Sequence, residues 1–246
     1  MAGDKRKSGK YSTAFFVLLA LLLAAYLIKT NFFSDTEKNI KKEGTGLNQD
    51  TVTEPGKQPG KINERNIPVD TTPQIILLCG DSMADGLFEP FKDFSNYNGH
   101  LLTFSNWGSS TTTAWVYTEK MKKMIEKYQP TYIILELGSN ELLTTRLKEL
   151  EDNVRTILKQ SGNIKLIWVG PPNWKADNGF NDVLKKTLGE GKYFLSKNLL
   201  IERGEDGIHP TIEGYYKWAA KISEWIEHQS DYPVRITIPS ENTQGK

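Results

Sequence analysis

IILLCGDSMADG, residues 75–86, runs four large apolar side chains through Cys79 into a glycine, an acid and a serine. An unbroken apolar run without polar alternation suits a strand buried on both faces, as in a parallel sheet. Gly80-Asp81-Ser82 then reads as a strand-to-helix turn. A serine there holds its hydroxyl at the edge of the sheet, with its backbone N–H near a helix N-terminus where negative charge is stabilised. Serine is also a favoured helix N-cap, so this residue by itself does not define a catalytic site.

Outward from this stretch the same pattern repeats. Apolar runs recur at residues 101–105 (LLTFS), 132–137 (YIILEL), 165–169 (KLIWV) and, more weakly, 193–196. Between them lie amphipathic stretches with helical spacing at 114–128, 150–158 and 212–226. Strand–helix alternation of this kind predicts an α/β domain with helices on both faces of a sheet. Ligands in such folds bind at the carboxyl ends of the strands.

Composition narrows the functions open to the chain. It has 246 residues, with Lys+Arg 31 against Asp+Glu 30, and a formal net charge of +1. That balance argues against a global basic footprint for nucleic acid and against a highly charged disordered chain. One cysteine excludes a disulfide framework within the chain and any multi-cysteine metal site, and the histidines number only 3. Cys79, at a strand end, reads as a small buried apolar residue. His100 and His228 have no partner at a meaningful spacing and read as surface or structural residues.

The N-terminus departs from the average. Residues 11–28, YSTAFFVLLALLLAAYLI, carry no charge, and Lys5, Arg6, Lys7 and Lys10 precede them. A transmembrane anchor over 11–29 is expected, with residues 1–10 in the cytoplasm and the rest of the chain across the membrane. A cleaved signal peptide is the competing reading. It is disfavoured by the length of the run and by Tyr26, Leu27 and Ile28 after Ala24-Ala25. Residues 30–72, rich in Lys, Glu, Asn, Thr, Gly and Pro, read as a flexible tether with a root-mean-square span of roughly 35–40 Å. The folded domain is expected over 73–230. A tail over 231–246 has room for one short edge strand.

Each strand end carries polar residues. Asn106-Trp107-Gly108 follows the second run and Gly138-Ser139-Asn140-Glu141 the third. Asp206-Gly207-Ile208-His209-Pro210-Thr211 precedes the last helix. A carboxylate three residues before a histidine can orient the ring and stabilise the imidazolium that forms when the ring takes a proton. Nucleophile, base, base-orienter and donors for an oxyanion are then all present.

These four blocks, in this order and over roughly residues 73–228, resemble those of the serine–glycine–asparagine–histidine (SGNH, or GDSL-type) hydrolases. The resemblance implies a three-layer α/β/α sandwich with a mostly parallel, flavodoxin-like sheet. It implies Ser82 as nucleophile and Asp206 and His209 as the rest of the triad. The oxyanion hole would be formed by the N–H groups of Ser82 and Gly108 and the side chain of Asn140. Two departures stand out: Glu141 replaces the acid usual after the asparagine, and residues 109–113 lack a further glycine often found there. The pentapeptide G-x-S-x-G is absent around Ser82, which disfavours the α/β-hydrolase elbow.

The implied chemistry passes through an acyl-serine and calls for no metal or organic cofactor. The expected substrate is an acylated carbohydrate, with O-acetyl groups of envelope or surface glycans removed by an enzyme held at the bacterial cytoplasmic (inner) membrane and facing outward. Lipid or small-ester hydrolysis and O-acyl transfer are the alternatives within the class. A non-catalytic, membrane-anchored glycan-binding module is the alternative outside it. Trp107, Trp115 and Trp174 lie in or near the loops of the active face, where they either stack on sugars or pack the core and rim.

Overall fold

The apolar runs pair side by side because each offers two faces that must leave water. In the computed structural model, which describes residues 67–238, they form a five-stranded sheet in the order β2-β1-β3-β4-β5. The strands are β1 Ile75–Gly80, β2 Leu101–Asn106, β3 Tyr132–Glu136, β4 Lys165–Val169 and β5 Tyr193–Phe194. All four pairings are parallel. The helices are α1 Ser82–Tyr97, α2 Thr112–Tyr117, α3 Lys120–Tyr128, α4 Leu147–Ser161, α5 Phe180–Leu188 and α6 Ile212–His228.

Side chains alternate across a strand, so β1 feeds two cores. Ile76 and Leu78 join Met83, Leu87 and Phe91 of α1 and Trp218, Ile222 and Ile226 of α6. Leu77 and Cys79 join Trp115, Met121, Val154, Ile157 and Leu184 from α2 to α5. The result is the three-layer α/β/α arrangement expected. Cys79 is buried, and burial pushes its thiol far above the usual range.

Four expectations change in detail. The run at 101–105 is not buried on both faces: β2 is an edge strand with one neighbour, and Leu101 is 60% exposed. The helical stretch 114–128 is two helices, broken at Thr118 and Glu119. Glu119 adopts a left-handed φ of 50°, while Trp115, Met121 and Met124 all remain buried. The described part of the tail, to residue 238, contributes an isolated parallel bridge, Asp70 to Val234, and no strand.

The fourth change concerns boundaries, because that bridge carries the fold past both expected limits of 73 and 230. The Asp70 N–H donates to the Pro233 carbonyl at 2.9 Å, and the Arg235 N–H donates to the Asp70 carbonyl at 2.9 Å. Asp70 also pairs with Lys165 at 3.0 Å. Val234 and Ile236 are buried in the core. His100 serves the same seam: its Nδ1 accepts the Gln74 N–H at 3.1 Å, and its Nε2 lies 2.6 Å from the Arg235 carbonyl. It is structural, as one of its two expected readings had it. The expected anchor at 11–29 and nearly all of the tether lie outside the described residues. Among the described residues no helix is long and apolar enough to cross a membrane.

At Gly80 the backbone of β3 lies close against β1. A Cβ there would lie 1.7 Å from the Glu136 carbonyl oxygen, which is backbone and cannot swing away. Gly80→Ala should therefore destabilise the domain by about 1–3 kcal/mol or more through overpacking, read as a lowered midpoint in urea or thermal unfolding. An unchanged midpoint would mean that the two strands have more room than this spacing allows.

Candidate active site

With all strands parallel, their carboxyl ends share one edge. β1 connects onward to β2 on one side and β3 to β4 on the other, so the two connections leave in opposite directions and open a crevice between the ends of β1 and β3. Ser82 sits there as the first residue of α1. Asp81 is its N-cap and accepts the Met83 N–H at 3.0 Å through Oδ1. The chain brings His209 to the same point from 127 positions away, with Nε2 3.0 Å from the Ser82 hydroxyl oxygen. His209 Nδ1 lies 2.6 Å from Asp206 Oδ2. A carboxylate on Nδ1 selects the tautomer with its proton there, leaving Nε2 to accept from Ser82. The sequence-derived triad is thus assembled as one hydrogen-bonded relay.

Asp206 is fixed from three sides. Its Oδ1 accepts the N–H groups of Ile208 and His209 at 2.8 and 2.9 Å. The His209 contact first, then these two amides, lower its carboxyl to about 2. It is a carboxylate throughout the range in which a histidine titrates. The loop bearing both residues is held by Arg203, whose guanidinium donates to the carbonyls of Ile208, Pro172 (2.7 Å) and Asn173 (3.1 Å). Gly204 N–H to the His209 carbonyl (2.8 Å) and Thr211 N–H to the Glu202 carbonyl (3.0 Å) close its base.

The expected oxyanion donors meet at one point, with one difference. The Ser82 N–H and the Asn140 amide both donate to the Gly108 carbonyl oxygen, at 3.0 and 3.4 Å. Asn140 Nδ2 also donates to Ser110 O at 3.0 Å. Gly108 therefore presents its carbonyl to the other two, where its N–H was expected. Nothing lies within 4 Å of where a Cβ on Gly108 would stand, so this glycine borders open space.

Asp81, read from sequence only as part of the turn, is the hub of the site. Its Oδ2 accepts the N–H groups of Gly138 (3.1 Å) and Ser139 (3.0 Å) and approaches Asn140 Nδ2 at 3.5 Å. One buried carboxylate thus ties the nucleophile turn to the Asn140 loop. Glu136, fully buried at the end of β3, lies against it. Burial first, then the Asp81 charge, push Glu136 well above the carboxylate range. Burial thus favours the neutral form of Glu136, which can donate toward Asp81. Burial also raises Asp81, against the pull of the Met83, Glu136, Gly138 and Ser139 hydrogen bonds. Glu141, the departure from the usual motif, holds the loop after β2: it accepts the Thr112 N–H at 2.6 Å and the Thr112 hydroxyl at 2.9 Å.

Asp81 and Glu141 were legible as acids beside the motifs, but not as ties between blocks. Arg203 had no signal in the sequence. Of the three tryptophans, Trp115 belongs to the core, fully buried with its indole N–H on Ser110 Oγ at 2.8 Å. Trp107 is 38% exposed. Trp174 is half-buried, with the Lys175 ammonium 3.9 Å from its ring centre.

Fold and site together define a Ser–His–Asp relay at the carboxyl edge of a parallel α/β sheet. No family model matches the chain. It is 28% identical over 150 residues to a multidomain esterase of Ruminococcus flavefaciens; the match takes in 49% of this chain and spans only 19% of that protein's length. Similar solved structures include the lipase/acylhydrolase from Enterococcus faecalis, with 18% identity, a TM-score of 0.49, and coverage of 63% of this chain and 95% of that one. They also include the acetyl xylan esterase AlAXEase, with 16% identity, a TM-score of 0.48, and coverage of 61% and 98%.

The buried acid pair makes stability depend on pH in a defined direction. Unfolded, Glu136 ionises near its ordinary 4.5; folded, it ionises only at higher pH. Its contribution is complete below that ordinary value and is lost as pH rises toward the folded-state value. Glutamine stays neutral and can still donate to Asp81. Between about pH 5 and 9, the melting temperature of Glu136→Gln should therefore fall less than that of the parent. Parallel melting curves would show that Glu136 is not held neutral.

Proposed function

We propose that this protein is a serine esterase of the SGNH type that removes ester-linked acyl groups, O-acetyl above all, from envelope or surface glycans. The observation that carries the reading is the relay from Ser82 through His209 to Asp206. The esterase named among its relatives and the four sequence blocks support it. The charge-free run at 11–28 behind four basic residues supports placement at the bacterial cytoplasmic membrane, with the domain outside.

In this reading His209 Nε2 takes the Ser82 proton as Oγ bonds to the ester carbonyl carbon. Asp206 stabilises the imidazolium. The carbonyl oxygen becomes an oxyanion held by the Ser82 N–H and the Asn140 amide, displacing the Gly108 carbonyl. The carbon–oxygen bond to the sugar then breaks, and His209 returns its proton to the departing sugar oxygen. Water, deprotonated by His209, attacks the acyl-serine and releases the acid.

Two experiments test this. A serine-directed phosphonate should label Ser82, and His209→Ala should remove the labelling; modification of Ser109 or Ser139 instead would misplace the nucleophile. Asn140 acts only as charge develops, so Asn140→Ala should lower kcat and kcat/KM together by about 10²–10³, with KM little changed. A near-normal kcat on a soluble short-chain ester would remove Asn140 from the oxyanion hole.

A further inference from the structure

Beside Asn140 lies an open cavity of about 460 Å³. Its walls include Thr111, Thr113, Thr144, Arg146 and Lys175. The volume is in the range of small-molecule sites, about 300–1,000 Å³, and admits a sugar ring. We propose that this cavity receives the sugar that carries the ester, and that the sugar is acidic, bearing a carboxylate. The proposal rests on the esterase reading and names its substrate class.

Position is the first argument. Asn140 contributes both to the cavity wall and to the point where the oxyanion forms, so a group seated in the cavity is adjacent to the ester being cleaved. Charge is the second. The wall also contains one acid, Glu141, whose carboxyl is raised by burial and accepts the Thr112 amide and hydroxyl; Glu149, behind it, is bound by the Thr113 hydroxyl at 3.1 Å and Arg146 at 3.2 Å. Lys175 rests on the Trp174 ring, and no carboxylate among the described residues forms an ion pair with it. An ammonium stacked on an indole is held in place but keeps its full charge. Arg146 meets Glu149 through Nη1, at one end of the guanidinium fork. The wall thus offers two cations, Lys175 without an ion pair among the described residues and Arg146 shared with Glu149, against the one acid Glu141, together with threonine hydroxyls. A neutral sugar satisfies only the hydroxyls, whereas a uronate also satisfies Lys175.

The test uses full-length protein in detergent at low ionic strength. Three substrates are compared: O-acetylated polygalacturonate, the same polymer with its carboxyls reduced before acetylation, and p-nitrophenyl acetate. The acidic polymer should have a kcat/KM about fivefold or more above the reduced one, since exposed ion pairs each supply a few-fold. The ratio should shrink as salt is added. Lys175→Gln should bring it toward one, Lys175→Arg should keep it, and Arg146→Gln should lower it by a smaller factor. Melting curves of the variants check that the fold is intact. Equal kcat/KM on the two polymers, or a ratio unmoved in Lys175→Gln, overturns the acidic-sugar assignment while p-nitrophenyl acetate turnover leaves the esterase reading standing. Failure to turn over p-nitrophenyl acetate overturns that reading, and this one with it.

Discussion

Asp81 places a charge where no water reaches, at the end of the central strand, and the rest of the site is arranged around satisfying it. Its two oxygens collect the Met83 amide on one side and the Gly138 and Ser139 amides on the other. Each contact answers the cost of desolvating a carboxylate, and each also fixes backbone that catalysis uses. The first orients the turn that presents Ser82. The second sets the loop from which Asn140 reaches the same point. Because one side chain makes both sets of bonds, Ser82 and Asn140 are positioned relative to each other and not merely each on its own strand.

Glu136 completes this arrangement from behind. Two adjacent buried acids cannot both ionise, and the one with fewer donors around it keeps its proton. Its Oε2 faces no donor, which is costly for an ionised oxygen and natural for a protonated one. Sharing that proton with Asp81 adds one more bond to the hub without adding a second charge to the interior.

The base half of the site depends on a different device. His209 and Asp206 lie only three residues apart, so the loop itself sets their mutual geometry, with Asp206 also capping the amides of Ile208 and His209. What remains is to hold that loop against the sheet, and Arg203 does so through carbonyls on both sides of the gap. Ser82 is thus supported by the buried Asp81 carboxyl and His209 by a guanidinium bridge. The two halves meet through the Ser82–His209 hydrogen bond and through Tyr215, which packs against Met83 and Gly86.

The sequence alone determined the strands and the blocks at their ends, because apolar runs bounded by turns are local signals. It also determined the D-x-x-H pairing, because three residues span a single loop. The helix break at Glu119, the exposed edge of β2 and the Asp70–Val234 seam were not legible, since each depends on which neighbour a segment finds in space. The same holds within the site. Ser82, Asn140 and His209 could be named from their blocks, but the tie that Asp81 makes between two of them and the clamp from Arg203 span tens of residues and leave no periodic trace. That Gly108 turns its carbonyl toward the Ser82 and Asn140 donors was likewise decided only in three dimensions: a peptide's orientation is set by the hydrogen bonds around it, and composition does not encode it.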